Sequence, residues 1–203
     1  MRPMPRVSAA VKESTRSRLL ESAAREFAEF GVERANIDRV SIGAGFAKGT
    51  IYNYFASKEA LFGAVVESAC EAAVEHARPR ASGSPRERIV AVLDSFVTWA
   101  AANESFARVL VRECLGATPG LQGALVGAEQ PLVGALTQML TEGAETRRVR
   151  DDLAPDLLAL ALASLTDLAL AYHWAQPGAI ERSRIPELVV QVVLGPLAAA
   201  GHP

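Results

Sequence analysis

Residues 45–62 read GFAKGTIYNYFASKEALF, and this stretch holds two of the chain's three tyrosines and two of its three lysines. Such side chains suit a polyanion. A lysine brings charge to a phosphate, and Thr or Tyr hydroxyls donate to phosphate oxygens. An asparagine can pair bidentately with adenine, and a threonine methyl can touch the methyl of thymine. Lys48, Thr50, Tyr52 and Asn53 supply these groups. Ile51 and Phe55 lie four apart, share one helical face and should be its buried side. Gly49 would let the backbone approach a duplex closely. Lys58 follows in the first turn of the next helix, beside free N–H groups able to hold a phosphate.

The elements that must position these groups read as helices. Leu19, Leu20, Ala23, Ala24 and Phe27 recur at helical spacing, which predicts a helix over about 15–30 ended by Gly31. Asn36 caps a short helix from Ile37 to about Ala44, and Gly45 stops it. A further helix is expected from Ala47 to Phe55, then one capped by Ser57 that ends before Pro79. Helix, glycine turn and short helix in this order fit a helix-turn-helix, whose second helix enters the major groove. Charge agrees: residues 1–58 hold 10 Lys and Arg against 6 Asp and Glu, whereas the remainder holds 11 against 17. A basic front on an acidic body is the asymmetry expected when one end meets nucleic acid.

The rest of the 203 residues is also helical in pattern. RPRASGSP at 78–85 is a connection, and Ser84-Pro85 is a cap followed by proline at the first helical position. A helix is expected to open at Pro85 with an apolar face from Ile89 to Ala100, and others over about 104–115, 120–147 with a bend at Pro131, 155–175 and 186–200 with a break at Gly195-Pro196. The fold class is therefore all-α, with about nine helices. The segment 157–175 is the closest approach to a membrane span, but Asp167 and polar residues interrupt it. The first residues lack the apolar core of a signal peptide, so a cytoplasmic protein without membrane association is expected. Cys70 and Cys114 have no metal-ligand or disulfide spacing and read as small apolar residues. His76, His173 and His202 have no clustered carboxylates in sequence. No nucleophile elbow, zinc helix or phosphate loop is present. No enzyme activity, cofactor or metal is expected.

Residues 16–62 resemble the DNA-binding domain of TetR-family transcriptional regulators. The family pattern ILxAAxxLFxxxG appears here as LLESAAREFAEFG (19–31), and IAxxAGVSKGTLYxYFxSKExL as VSIGAGFAKGTIYNYFASKEAL (40–61). The resemblance implies an N-terminal three-helix helix-turn-helix domain over 15–60, preceded by a flexible basic arm over 1–14. It implies a C-terminal bundle over 61–203 for effector binding and dimerisation. Ala47, Lys48, Gly49, Thr50, Tyr52, Asn53, Tyr54 and Lys58 fall at DNA-contact positions. Ala47 replaces a usual Ser or Thr, and Ser41, Ile42 and Gly43 replace an Ala-polar-polar run. Gly43 inside a short helix should cost up to about 1 kcal/mol relative to Ala.

The implied partners are a double-stranded operator, a second copy of the chain through the last two helices, and a small apolar or amphipathic effector. Candidate effector contacts are Phe96, Trp99, Phe106, Arg112, Leu136, Met139, Tyr172, His173 and Trp174. The leading expectation is a ligand-responsive homodimeric repressor. The alternatives are a small-molecule-binding or scaffold protein with a degenerate helix-turn-helix, and a repressor that needs no effector. Arg39 is expected either to reach phosphate or to be solvated, and Arg16 and Arg18 to lie on a solvated face.

Overall fold

The computed structural model describes residues 9–77, 82–116, 122–146 and 148–195, with 122–131 described as backbone only. Regular structure among the described residues is entirely helical, and the chain divides into two compact units at Ala69/Cys70.

The first unit opens with α1 (Ala9–Arg34). This helix begins six residues before the expected start, so residues 9–14 of the anticipated flexible arm are helical; residues 1–8 lie outside the described region. Its first turns carry no apolar stripe because nearly every side chain there is exposed, which is why hydrophobic periodicity missed them. Gly31 (φ 73°, ψ 169°) ends the regular helix, as its position suggested, and one further turn reaches Arg34. Asn36 caps α2 (Ile37–Gly43), its side chain accepting from the N–H groups of Asp38 and Arg39.

The helix expected over 47–55 is instead a 3-10 turn, Thr50–Asn53. Gly49 precedes it at φ 80°. A left-handed residue cannot continue a right-handed helix, so regular winding starts only at Thr50. Ser57 Oγ then accepts from Ala60 N–H at 3.1 Å and starts α3 (Lys58–His76). The core of this unit centres on Phe27 and Phe62, edge to face at 5.2 Å, with Leu19, Val40, Ile51 and Val65 buried around them.

The boundary between the units lies inside α3, later than the expected 60/61. The second unit continues with α4 (Pro85–Ala102), α5 (Glu104–Cys114), α6 (Gln122–Glu145), α7 (Pro155–Ala175) and α8 (Ile185–Leu194). Ser84 and Glu87 close a reciprocal capping box on α4. Gly195 (φ 76°) ends α8 at Leu194, at the expected Gly195-Pro196 break, and Pro196 onward lies outside the described residues, as do the side chains around Pro131. Eight α-helices are thus described; the ninth that was expected is the 3-10 turn.

Gly143 allows a tight crossing: a Cβ there would lie 2.4 Å from Val149 Cγ2 and 3.2 Å from Pro85 Cβ. By length and composition α7 could cross a bilayer. Here it packs against α5, α6 and α8 and buries Thr166 and Asp167 within the unit.

Candidate nucleic-acid interface and core cavity

The segment 47–58 divides into two sides. Ile51 is 1% exposed and Phe55 is buried, whereas Tyr52 is 61% exposed and Ala47, Lys48 and Asn53 are also exposed. The one-turn helix therefore presents Tyr52 and Asn53 outward because Ile51 anchors its other side. Gly49, Thr50 and Tyr54 are half-buried. A Cβ at Gly49 would meet nothing within 4 Å, so the glycine serves the left-handed turn and leaves the backbone uncovered. Lys58 Nζ donates to Glu33 O at 2.9 Å. One of its three donors is thereby used, and the remaining two can meet a phosphate. Lys48 Nζ lies 3.6 Å from Asp38 Oδ2.

Polar links hold this surface in place, and the sequence did not disclose them. Glu26 is a largely buried carboxylate on α1. Its Oε1 accepts from Asn36 N–H at 2.8 Å and from Arg39 Nε and Nη2 at 3.0 and 2.6 Å. The Arg39 guanidinium also lies 4.3 Å from the centroid of the Phe30 ring. Arg39 is therefore a strut between α1 and α2, not a free phosphate contact and not simply solvated. Arg16 and Arg18 also lie over rings, Phe55 at 5.7 Å and Phe46 at 4.7 Å, Arg16 half-buried and Arg18 on the exposed face expected of it.

Two departures from the family pattern are accommodated. Ser41 is fully buried, and its Oγ accepts a long hydrogen bond from Ile51 N–H at 3.4 Å, linking α2 to the exposed turn. A Cβ at Gly43 would lie 2.6 Å from Ser22 Oγ. Gly43 thus permits close packing of α2 on α1, which offsets its low helix propensity. Ile42 remains an exposed aliphatic at 54%.

In the second unit a cavity is lined by Cys70, Ala73 and Val74 of α3, Leu93 and Phe96 of α4, Leu110 of α5, Leu132 of α6, and Ala163, Thr166 and Asp167 of α7. The lining is almost wholly apolar, with Asp167 its one carboxylate. Thr166 spends its hydroxyl on Leu162 O at 2.7 Å. The free space between these side chains is small.

Of the residues expected to contact an effector, Phe96 lines this cavity. Trp99 stacks on Phe96 at 5.8 Å, and Leu136 and Met139 are buried away from the lining. Phe106 is half-buried, Arg112 pairs with Glu113 at 3.7 Å, and Tyr172 is exposed. His173 Nδ1 meets Ile180 O at 2.9 Å, and Arg108 lies over the Trp174 ring at 5.1 Å. The missed lining residues had a signal. Cys70, Ala73 and Val74 share i, i+3, i+4 spacing, and so do Ala163, Thr166 and Asp167, with an acid set in an apolar helix.

A leucine stripe runs along the exposed side of α7 through Leu157, Leu160 and Leu168 to Tyr172, and Leu188 and Val192 are exposed on α8. No group of three metal-ligating side chains occurs among the described residues.

Sequence and structure comparisons agree with this layout. The profile of bacterial regulatory proteins of the tetR family matches residues 19–65, and that of the tetracyclin repressor-like C-terminal domain matches 82–196. An HTH-type transcriptional repressor of Mycobacterium tuberculosis is 31% identical over 174 residues, spanning 83% of this chain and 87% of that protein. The fold is shared with the Bacillus subtilis regulator FadR in complex with stearoyl-CoA (TM-score 0.76, 18% identity, 89% of this chain and 98% of that one). It is shared equally with AibR in complex with isovaleryl coenzyme A and operator DNA (TM-score 0.74, 16% identity, 90% and 100%). With both halves matched in order, and a helix-turn-helix whose outward residues suit a duplex, this chain belongs to the TetR family of bacterial transcriptional regulators.

Proposed function

We propose that the chain is a homodimeric cytoplasmic repressor that reads a near-palindromic operator and leaves it when a small apolar or amphipathic effector binds. The carrying observation is the two-sidedness of 47–58: Tyr52, Asn53 and Lys48 face outward while Ile51 and Phe55 are buried. In this reading Lys48 and Asn53 reach base edges, and Ala47 and Gly49 let the backbone come close. Thr50, Tyr52, Tyr54 and Lys58 contact phosphate. Two copies would place these turns in successive major grooves, about 34–36 Å apart or at a related spacing. The exposed stripes of α7 and α8 support pairing through those helices, because a face of this kind needs a partner to leave water.

The apolar lining supports an effector with an aliphatic portion. An acyl thioester is the first class to test, since two proteins of the same fold are described with acyl-CoA ligands. Asp167 would repel the phosphates of such a ligand, so only its acyl part suits the cavity. The small free space means that entry must displace helices. Helix α3 carries Lys58 at one end and Cys70, Ala73 and Val74 of the lining at the other, which makes it the natural route for coupling. The same small space favours a second reading, a repressor with no effector.

Mobility-shift titration on the DNA flanking its own coding sequence tests the account. A salt-sensitive, sequence-preferring complex released by long- or short-chain acyl-CoA supports it. A complex indifferent to every acyl-CoA, with no thermal shift of the protein, supports the effector-free reading. No sequence-preferring complex at all overturns both.

A further inference from the structure

Lys48 is the outward cation of the reading turn, and it already has a companion. Its Nζ sits 3.6 Å from Asp38 Oδ2, a pair that joins the first turn of α2 to the loop before the 3-10 turn. The two ends differ in freedom. Asp38 is fixed on a capped helix, its N–H donating to Asn36 Oδ1 at 2.9 Å, and the Glu26–Arg39 strut holds the next residue. Lys48 lies in a turn and is 68% exposed. Both side chains remain open to solvent, so the pair adds little to stability. Its consequence lies in what can approach it.

A phosphate drawn to Lys48 would also meet the Asp38 carboxylate, and the two anions repel. A base edge offers both acceptors and donors. In the major groove guanine presents O6 and N7 to a lysine, and cytosine of the same pair presents an N4–H donor to a carboxylate. The geometry points to Asp38 as a specificity-determining residue: it steers Lys48 away from the backbone and onto a base pair, and with it reads G·C. This rests on the operator-binding reading above.

The test is selection from a randomised duplex library by the full-length protein and its Asp38→Ala, Asp38→Asn, Asp38→Glu and Lys48→Ala variants, each first checked for an unchanged helical spectrum. Wild type should enrich one G·C pair at a fixed place in each half-site, by about tenfold over other pairs. Asp38→Glu should keep that preference. Asp38→Ala and Lys48→Ala should reduce it at that place alone, to below about twofold, and combining them should reduce it no further. Asp38→Asn should relax it toward A·T, because a carboxamide can pair with adenine. Asp38→Ala should also bind unselected duplex more tightly, one negative charge having gone. If Asp38→Ala selects the wild-type motif at every position, the inference is wrong while the operator reading stands. If wild type enriches no motif, the operator reading fails and the inference falls with it.

Discussion

In the unit that ends at Ala69, buried or part-buried polar groups answer one another: Glu26 meets Asn36 and Arg39, and Ser41 meets Ile51. In the unit that begins at Cys70 polar links also join distant segments, Arg88 to Glu142 and Arg150 to Val193 O, but the lining of the cavity is almost wholly apolar. Glu113 Oε2 and Arg88 Nε are buried in that unit without a protein hydrogen-bond partner, and the cavity carries a carboxylate in its wall. Directional links fix a geometry, which a base-reading surface requires to within a fraction of an ångström. Non-directional packing can be rearranged at smaller cost, which suits a unit that must admit a ligand. The contrast assigns rigidity to one half and adaptability to the other, and substitutions can break it.

The largest effect should come from the surface itself. Replacing Tyr52 and Lys58 together by Ala removes contacts at the reading turn and should weaken operator binding by about a hundredfold or more. Tyr52 is exposed and Lys58 only half-buried, so the melting temperature should hardly move. Fluorescence anisotropy and a thermal melt read the two quantities separately.

Next come the struts. Glu26→Ala leaves Asn36 N–H and the Arg39 guanidinium without their acceptor and should destabilise the chain by about 2 kcal/mol, measured by denaturant unfolding. Arg39 is half exposed and can turn to water, which keeps the loss below that of a fully buried pair. Operator affinity should fall with it, since the turn loses its support. In the second unit Gly143→Ala should cost about 1–3 kcal/mol through overpacking against Val149 and Pro85. Adding Val149→Ala should recover part of that loss and leave operator affinity unchanged.

Gly43→Ala gives a smaller effect but a sharper sign. Helix propensity alone predicts a gain of up to about 1 kcal/mol. Contact with Ser22 Oγ predicts a loss, reversed in the Ser22→Ala/Gly43→Ala pair. The smallest effect should be a pH dependence at the α4 cap. Hydrogen bonds from the Ser84 backbone and side chain hold the Glu87 carboxyl below its ordinary range. A carboxylate with a depressed folded pKa stabilises the fold above its unfolded pKa and loses that contribution as pH falls through the folded one. Glu87→Ala should therefore make acid unfolding slightly less steep, with little change near neutral pH.

How far the sequence foretold these features follows the same division. Ile51 and Phe55 as the buried side, Asn36 and Ser84 as caps, and Gly31 and Gly45 as helix stops were all legible, because each depends on local chemistry. The start of α1 was not, since an exposed helix has no apolar period to detect. The 3-10 form of Thr50–Asn53 was missed because a glycine's choice of φ at residue 49 is set by the turn it closes. The strut role of Arg39 needed Glu26, thirteen positions away, to be known as a neighbour. The cavity was least legible. Helices apolar around most of their circumference do not declare which side faces a void, and the sharpest clue, Asp167 amid leucines and alanines, read as an interruption.

The most direct test of the central claim is a hydroxyl-radical footprint of the full-length protein on the duplex it prefers. Two symmetric patches of protection on one face of the DNA, about one helical turn apart, and both lost in the Tyr52→Ala/Lys58→Ala protein, are what the account predicts. A single unsymmetric patch, or protection that survives those substitutions, would contradict it.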